Sequence, residues 1–201
     1  MRSHPGNCVV WWNRSARGRR MISVLPARSA EDFETMAMLC GRLAQWDVDA
    51  SAPHGVSEED IRTLFQPGTS GHKLAMQFGV PDAMAFIARS GNVPAGCLAF
   101  GPFGDGTAEL HKFFVDASFR GQGIGRALMG AVLAEIDKSP ARMVLIHTTF
   151  YMESAIAVYE AFGFSPARRF ATRPRMSGTR MSSCRARSKA GEGRNRRPAG
   201  G

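Results

Sequence analysis

The chain has 201 residues, 44% of them hydrophobic, which suits one domain with a sizeable core and excludes a chain disordered throughout. A net charge of +9 would suggest nucleic acid as a partner, but the charge is unevenly spread: five basic residues and no acid in 1–20, eleven basic residues and one acid in 168–201. Residues 21–167 carry sixteen acids against ten bases, so the body is mildly acidic and nucleic-acid binding by it is not expected.

Residues 1–20 have no period and no capping signal. They are expected to be a non-native or disordered N-terminal extension, with Met21 the true start. Arg19-Arg20 is followed by no apolar region, so export is not expected. Met21–Pro26 alternates as a first strand. Ser29 caps a helix with Asp32 as capping-box partner, and Phe33, Met36, Ala37, Cys40 and Leu43 form its apolar stripe. The stretch 44–56 reads as polar and irregular, fit to shape a substrate mouth with Trp46, Asp47, Asp49 and His54. Ser57 opens a second helix to Phe65, with Ile61, Leu64 and Phe65 inward. Ala85–Ala88 and Gly96–Phe100 read as strands around a turn, and Ala108–Val115 as a strong strand. Ile124–Asp137 is a helix with Ile124, Leu128, Val132 and Ile136 at spacings of four. Met143–His147 is a short apolar strand, and Ser154–Phe162 a helix stopped by Gly163. The best parallel β-α-β unit is 108–147.

No apolar run approaches the roughly 18 residues of a membrane span. Cys8, Cys40, Cys97 and Cys184 show neither metal-ligand spacing nor a disulfide framework. A cytoplasmic protein with no metal and no membrane partner is expected, as a monomer or homodimer.

Chemistry concentrates in Arg120-Gly121-Gln122-Gly123-Ile124-Gly125-Arg126, where a strand ends and a Gly-rich loop opens a helix. Glycines permit a tight turn and remove side chains that would block a ligand. The first helical N–H groups lack internal partners, and the helix dipole adds positive character, which together suit a diphosphate. Arg120 and Arg126 add charge-assisted contacts. No Gly-Lys-Ser/Thr follows, so a P-loop is excluded. No Gly-x-Gly-x-x-Gly occurs, which disfavours a dinucleotide fold.

The segment ELHKFFVDASFRGQGIGRALM (109–129) resembles the acyl-CoA-binding segment of the GNAT (Gcn5-related N-acetyltransferase) superfamily, with Arg120, Gly123 and Gly125 on the family pattern. A second segment, 155–164 with Tyr159 and Gly163-Phe164, is similar to the family's later helix. The resemblance implies an α/β fold with a mixed, splayed central sheet flanked by helices over 21–170, and acetyl-CoA as acyl donor. It implies that backbone groups of Phe114 and Val115 pair with pantetheine, one N–H acting as an oxyanion donor. An alkyl ammonium is neutral in fewer than about one molecule in a thousand at pH 7, so a base helps. Glu109 stands where the histone-acetyltransferase branch of the family carries its base; otherwise it is a solvated strand residue. His111, on the same strand face, and His147 are lesser candidates. Tyr159 would protonate the departing thiolate; otherwise it is a packed core tyrosine. Met152 stands where many relatives have Asn, which puts one cofactor contact in doubt.

The acceptor is expected to be a small-molecule or peptide amine. A non-catalytic acyl-CoA sensor, and an acyltransferase using another acyl-CoA or a hydroxyl acceptor, stay open. Residues 171–201 show no strand period and read as a basic disordered tail. Loss of one base after Phe170 would generate such a tail from a frame encoding a closing strand, so the final strand is expected to be missing.

Overall fold

The computed structural model describes residues 9–12, 21–65, 69–104, 106–167 and 182–188. In chain order these form β1 (Val9–Trp12), β2 (Met21–Pro26), α1 (Ala30–Ser51), α2 (Glu58–Phe65), α3 (Gly71–Phe78), β3 (Met84–Ser90), β4 (Val93–Gly104), β5 (Thr107–Val115), α4 (Ile124–Ile136), β6 (Met143–Thr149), α5 (Glu153–Ala161), β7 (Ser165–Pro166) and β8 (Ser182–Ser188). One sheet runs β1-β2-β3-β4-β5-β6-β8-β7, antiparallel at every pair except β5–β6. The α/β architecture with a mixed, splayed sheet is as expected.

Strand alternation sends side chains to two faces. Under α4, Leu98, Leu110, Val144 and Ile146 pack against Leu128, Val132 and Ile136. On the other face, Ala85, Ile87, Cys97 and Ala99 pack against Met36, Leu39 and Leu43 of α1 and Leu74 and Phe78 of α3. The capping box holds at the start of α1: Asp32 N–H donates to Ser29 Oγ, and Ser29 N–H to Asp32 Oδ2, each at 3.1 Å.

The feature that positions the site is a fork between β5 and β6. The two strands pair over only four residues, Thr107–Leu110 against Met143–Ile146. Just beyond, β5 carries one surplus residue: Ala99 and Cys97 of β4 face His111 and Phe114, two steps against three. Lys112 sits in the left-handed region at φ 57°. The surplus shows in the packing, since Leu110 and Phe114 share parity yet join opposite core clusters. Such a bulge bends its strand, and here it turns β5 away from β6. Cys97 Sγ donates to Lys112 O at 3.3 Å and supports the bulge. Gly96 lets β4 stay paired past it, because a Cβ there would stand 2.5 Å from Phe114 O.

Several elements differ from expectation. α1 runs on to Ser51, so 44–51 is helical rather than irregular. Its buried stripe continues through Ala44, Asp47 and Ser51 at helical spacing, but with polar residues that hide the pattern. α3 was not expected; Ser70 Oγ caps it by accepting from Lys73 N–H. The missing final strand is corrected: β8 pairs with the whole of β6, Met143–Thr149 against Ser188–Ser182, and also with β7. Backbone hydrogen bonds do not require an apolar sequence, so a segment without strand period still closes the ladder. Val9–Trp12, within the expected extension, pairs with β2. Residues 1–8, 13–20, 171–181 and 189–201 lie outside the described residues, as do the side chains of Leu64 and Phe65.

Candidate active site

Where β5 and β6 part, a cleft of about 530 Å³ opens between the end of β5, the loop before α4, the start of α5 and the second half of α1. One wall is Phe113, Phe114 and Val115. The far end is Arg120, Gly121, Gly123, Ile124, Gly125 and Arg126. Leu43 and Trp46 of α1 and Tyr151–Ala155 complete it.

The loop end has the character of an anion site. Gly123 is the N-cap of α4 at φ 81° and offers no side-chain cap, and Gly121 is at φ 74°. Ala127 N–H makes a helical bond to Gly123 O at 3.0 Å, and the N–H groups ahead of it lack intrahelical partners. The dipole of α4 and the exposed Arg126 add positive character. Arg120 is committed elsewhere: its Nε donates to Val115 O at 3.2 Å, and its guanidinium lies 5.0 Å from the centre of the Trp46 ring. Gln122 alone of the nine expected cofactor residues does not line the cleft; its amide turns back to Ser118 O at 3.4 Å. Asp116 fixes the approach to the loop. Its Oδ1 accepts from Ser118 N–H at 3.0 Å and its Oδ2 from Arg42 Nη1 at 2.7 Å, and these contacts hold its carboxyl below the usual range.

At the mouth, Tyr151 Oη donates to Asp47 Oδ1 at 2.9 Å, tying the loop after β6 to α1. Asp47 is fully buried and its Oδ2 has no partner among the described residues. Burial pushes its carboxyl up to about 6, against the opposing effect of the Tyr151 bond. Burial also raises the Tyr151 phenol. His54 stacks on Tyr151 with centroids 5.5 Å apart. Sequence reasoning missed Tyr151. It named Trp46, Asp47 and His54, without their partners.

The residues expected to do chemistry fall in two places. Glu109 is buried, with Oε1 2.7 Å from His147 Nδ1 and Oε2 3.6 Å from His111 Nε2. The three base candidates therefore form one cluster at the crotch of the fork, on the α1 face. None of them lines the cleft directly. Tyr159 lies on the α4 face, 2% exposed, with its ring 5.5 Å from Phe113 and 6.1 Å from Phe164. It stands one layer beneath the cleft, whose lining includes Phe113 and its neighbour Val158. Met152, in the position noted for its departure from the pattern, does line the cleft.

Among the described residues no helix is long and apolar enough to cross a membrane. Comparison with known proteins gives one consistent result. The sequence profile described as the acetyltransferase (GNAT) family matches residues 44–164. The chain is 31% identical over 101 residues to an IAA acetyltransferase of Azospirillum brasilense, covering 49% of this chain and 66% of that one. It is 39% identical over 57 residues to an N-acetyltransferase of Methanocaldococcus jannaschii, covering 28% of this chain and 25% of that one. The matched part thus spans under two thirds of either relative. In fold it is similar to the PaiA N-acetyltransferase of Thermoplasma acidophilum, solved with coenzyme A, at TM-score 0.63 and 16% identity over 84% of this chain and 99% of that one.

Proposed function

This chain belongs to the acetyltransferase (GNAT) family, and on that premise we propose that it is an N-acetyltransferase carrying an acetyl group from acetyl-CoA to a primary amine by direct attack. The observation that carries the reading is the continuity of a single cleft from the uncapped start of α4 to the fork of β5 and β6. The thioester supplies an activated acyl carbon. N–H groups at the start of α4 and Arg126 hold the diphosphate, and Gly121 and Gly123 leave room for it. Phe114 and Val115 offer backbone groups along the edge that β6 leaves, one N–H polarising the acyl oxygen. Glu109 serves the base side, where the acceptor ammonium loses its proton. Tyr159 serves the acid side, one layer below Phe113, and protonates the departing thiolate.

Calorimetry with acetyl-CoA tests the cofactor site, and thiol release across alkyl amines, amino acids, polyamines, peptides and alcohols tests the chemistry. Saturable binding with release driven by amines is expected. Tyr159→Phe is expected to keep binding within about twofold and to lower release by about 100-fold. The burial of Tyr159 at 2% exposure favours a second reading, a non-catalytic acyl-CoA sensor. Binding without release for any acceptor would establish that reading instead.

A further inference from the structure

His147 has one ring nitrogen accounted for and one not. Its Nδ1 is 2.7 Å from Glu109 Oε1, while its Nε2 is buried and has no hydrogen-bond partner among the described residues. A carboxylate only accepts, so in the neutral ring the Nδ1–H donates to Glu109 and the tautomer is fixed. Nε2 is then a bare lone pair. Buried polar atoms without partners are rare and call for a reason. Here the surroundings supply one. Glu109 stands in the last part of the paired segment of β5, opposite Leu145, and His147 follows the last paired residue of β6. The cluster therefore closes the crotch of the fork. Two residues beyond His111, Phe113 lines the cleft, and four beyond His147, so does Tyr151.

We infer that His147 Nε2 is the atom that takes the proton from the acceptor ammonium, through one water, with Glu109 as its positioning residue. The inference rests on the N-acetyltransferase reading and assigns its base. One N–H bond of the ammonium breaks, one Nε2–H bond forms, and the imidazolium charge is held by the Glu109 carboxylate at 2.7 Å. The proton then leaves to solvent, and nothing is oxidised or reduced. Among the described residues, the titratable groups facing His147 are Glu109 and, through Glu109 Oε2, His111, both on β5. From β4 it meets the ring of Phe103 at 6.3 Å, and Cys184 is its register partner on β8. His111 packs on Phe78 with its Nε2 3.6 Å from the same carboxylate, so it adds to the field around Glu109.

The test uses the full chain. His147→Asn keeps an N–H donor toward Glu109 and removes the Nε2 position; His147→Gln, which keeps a non-basic amide, replaces it if the first variant does not fold. With phenethylamine, putrescine and glycine methyl ester as acceptors, kcat is expected to fall by about 100-fold. The KM and calorimetric Kd for acetyl-CoA should stay within about twofold, and added imidazole should restore part of the rate. Glu109→Gln is expected to lower kcat while leaving the KM for acetyl-CoA within about twofold. Imidazole nitrogen spectra of the native protein should find the neutral His147 protonated at Nδ1 and bare at Nε2. A neutral ring protonated at Nε2 overturns the inference, as does a variant folded, binding acetyl-CoA and within threefold of native kcat. A native protein that binds no acetyl-CoA overturns the parent reading along with it.

Discussion

The buried hydrophobic cluster under α4 is hydrocarbon and thioether apart from the hydroxyl of Tyr159, and strand alternation puts the buried hydroxyls of Ser90 and Thr148 on the same side. Across the same sheet, the α1 face buries two thiols, Cys40 and Cys97, and also the Glu109 carboxylate with two imidazoles. The strands are shared, so alternation alone deals the two compositions to opposite sides. One face supplies the apolar burial that offsets the chain entropy. The other carries the cost of a buried carboxylate with its imidazoles, the groups to which the proposed proton transfer is assigned. The contrast predicts that changes of volume should be felt as stability on the first face, and changes of protonation as function or pH dependence on the second.

The largest expected effect is on the α4 face. Leu128 is fully buried, and Leu128→Ala should lower stability by about 2–5 kcal/mol, read as a fall in the thermal midpoint. A cost below about 1 kcal/mol would mean that this face is not close-packed. Next is Asp47 on the α1 side. Its folded carboxyl, lifted to about 6 by burial, exceeds the roughly 3.9 of an unfolded aspartate. The folded state therefore binds this proton more tightly. Its contribution to stability is greatest below about pH 4 and declines as pH rises to about 6. Asp47→Asn, which still accepts from Tyr151, should remove that decline and raise stability at pH 7 by on the order of 2–3 kcal/mol. Matching melts of both proteins at pH 4 and 7 would refute it. The smallest effect is at the cleft end, which belongs to neither face. Gly123→Ala forces a side chain into φ 81°, at a cost of about 1–2 kcal/mol. The same change should weaken acetyl-CoA in calorimetry, and undiminished affinity would separate the turn from the ligand.

Much of the first face was legible in the sequence. Ile124, Leu128, Val132 and Ile136 repeat at four, β2 alternates, and the glycines before α4 announce the loop; all are local patterns. Eight of the nine residues expected to meet the cofactor line the cleft for the same reason. The second face was less legible. Asp47 and Ser51 occupy buried positions of α1 with polar side chains, so the helix appeared to stop at Leu43. Tyr151 meets Asp47 across 104 residues, a pairing that no local pattern encodes. Glu109, His111 and His147 were each considered, but their meeting depends on the parallel register of β5 and β6. The fork was expected only through the family resemblance and has no local signal, since a lysine is an unusual residue for the left-handed backbone of Lys112. β8 was unreadable because Arg185 and Arg187 stand where an apolar rhythm would announce a strand.

The lone supernumerary residue in β5 resembles a dislocation in a crystal lattice. Rotamer changes cannot anneal it, because the mismatch lies in the number of peptide units between Leu110 and Phe114 rather than in any side chain. Point substitutions can reshape the walls of the gap, but deleting Lys112 would let the pleats fall back into step and zip the two strands shut. The opening is thus set by chain length rather than by the chemistry of any one side chain around it.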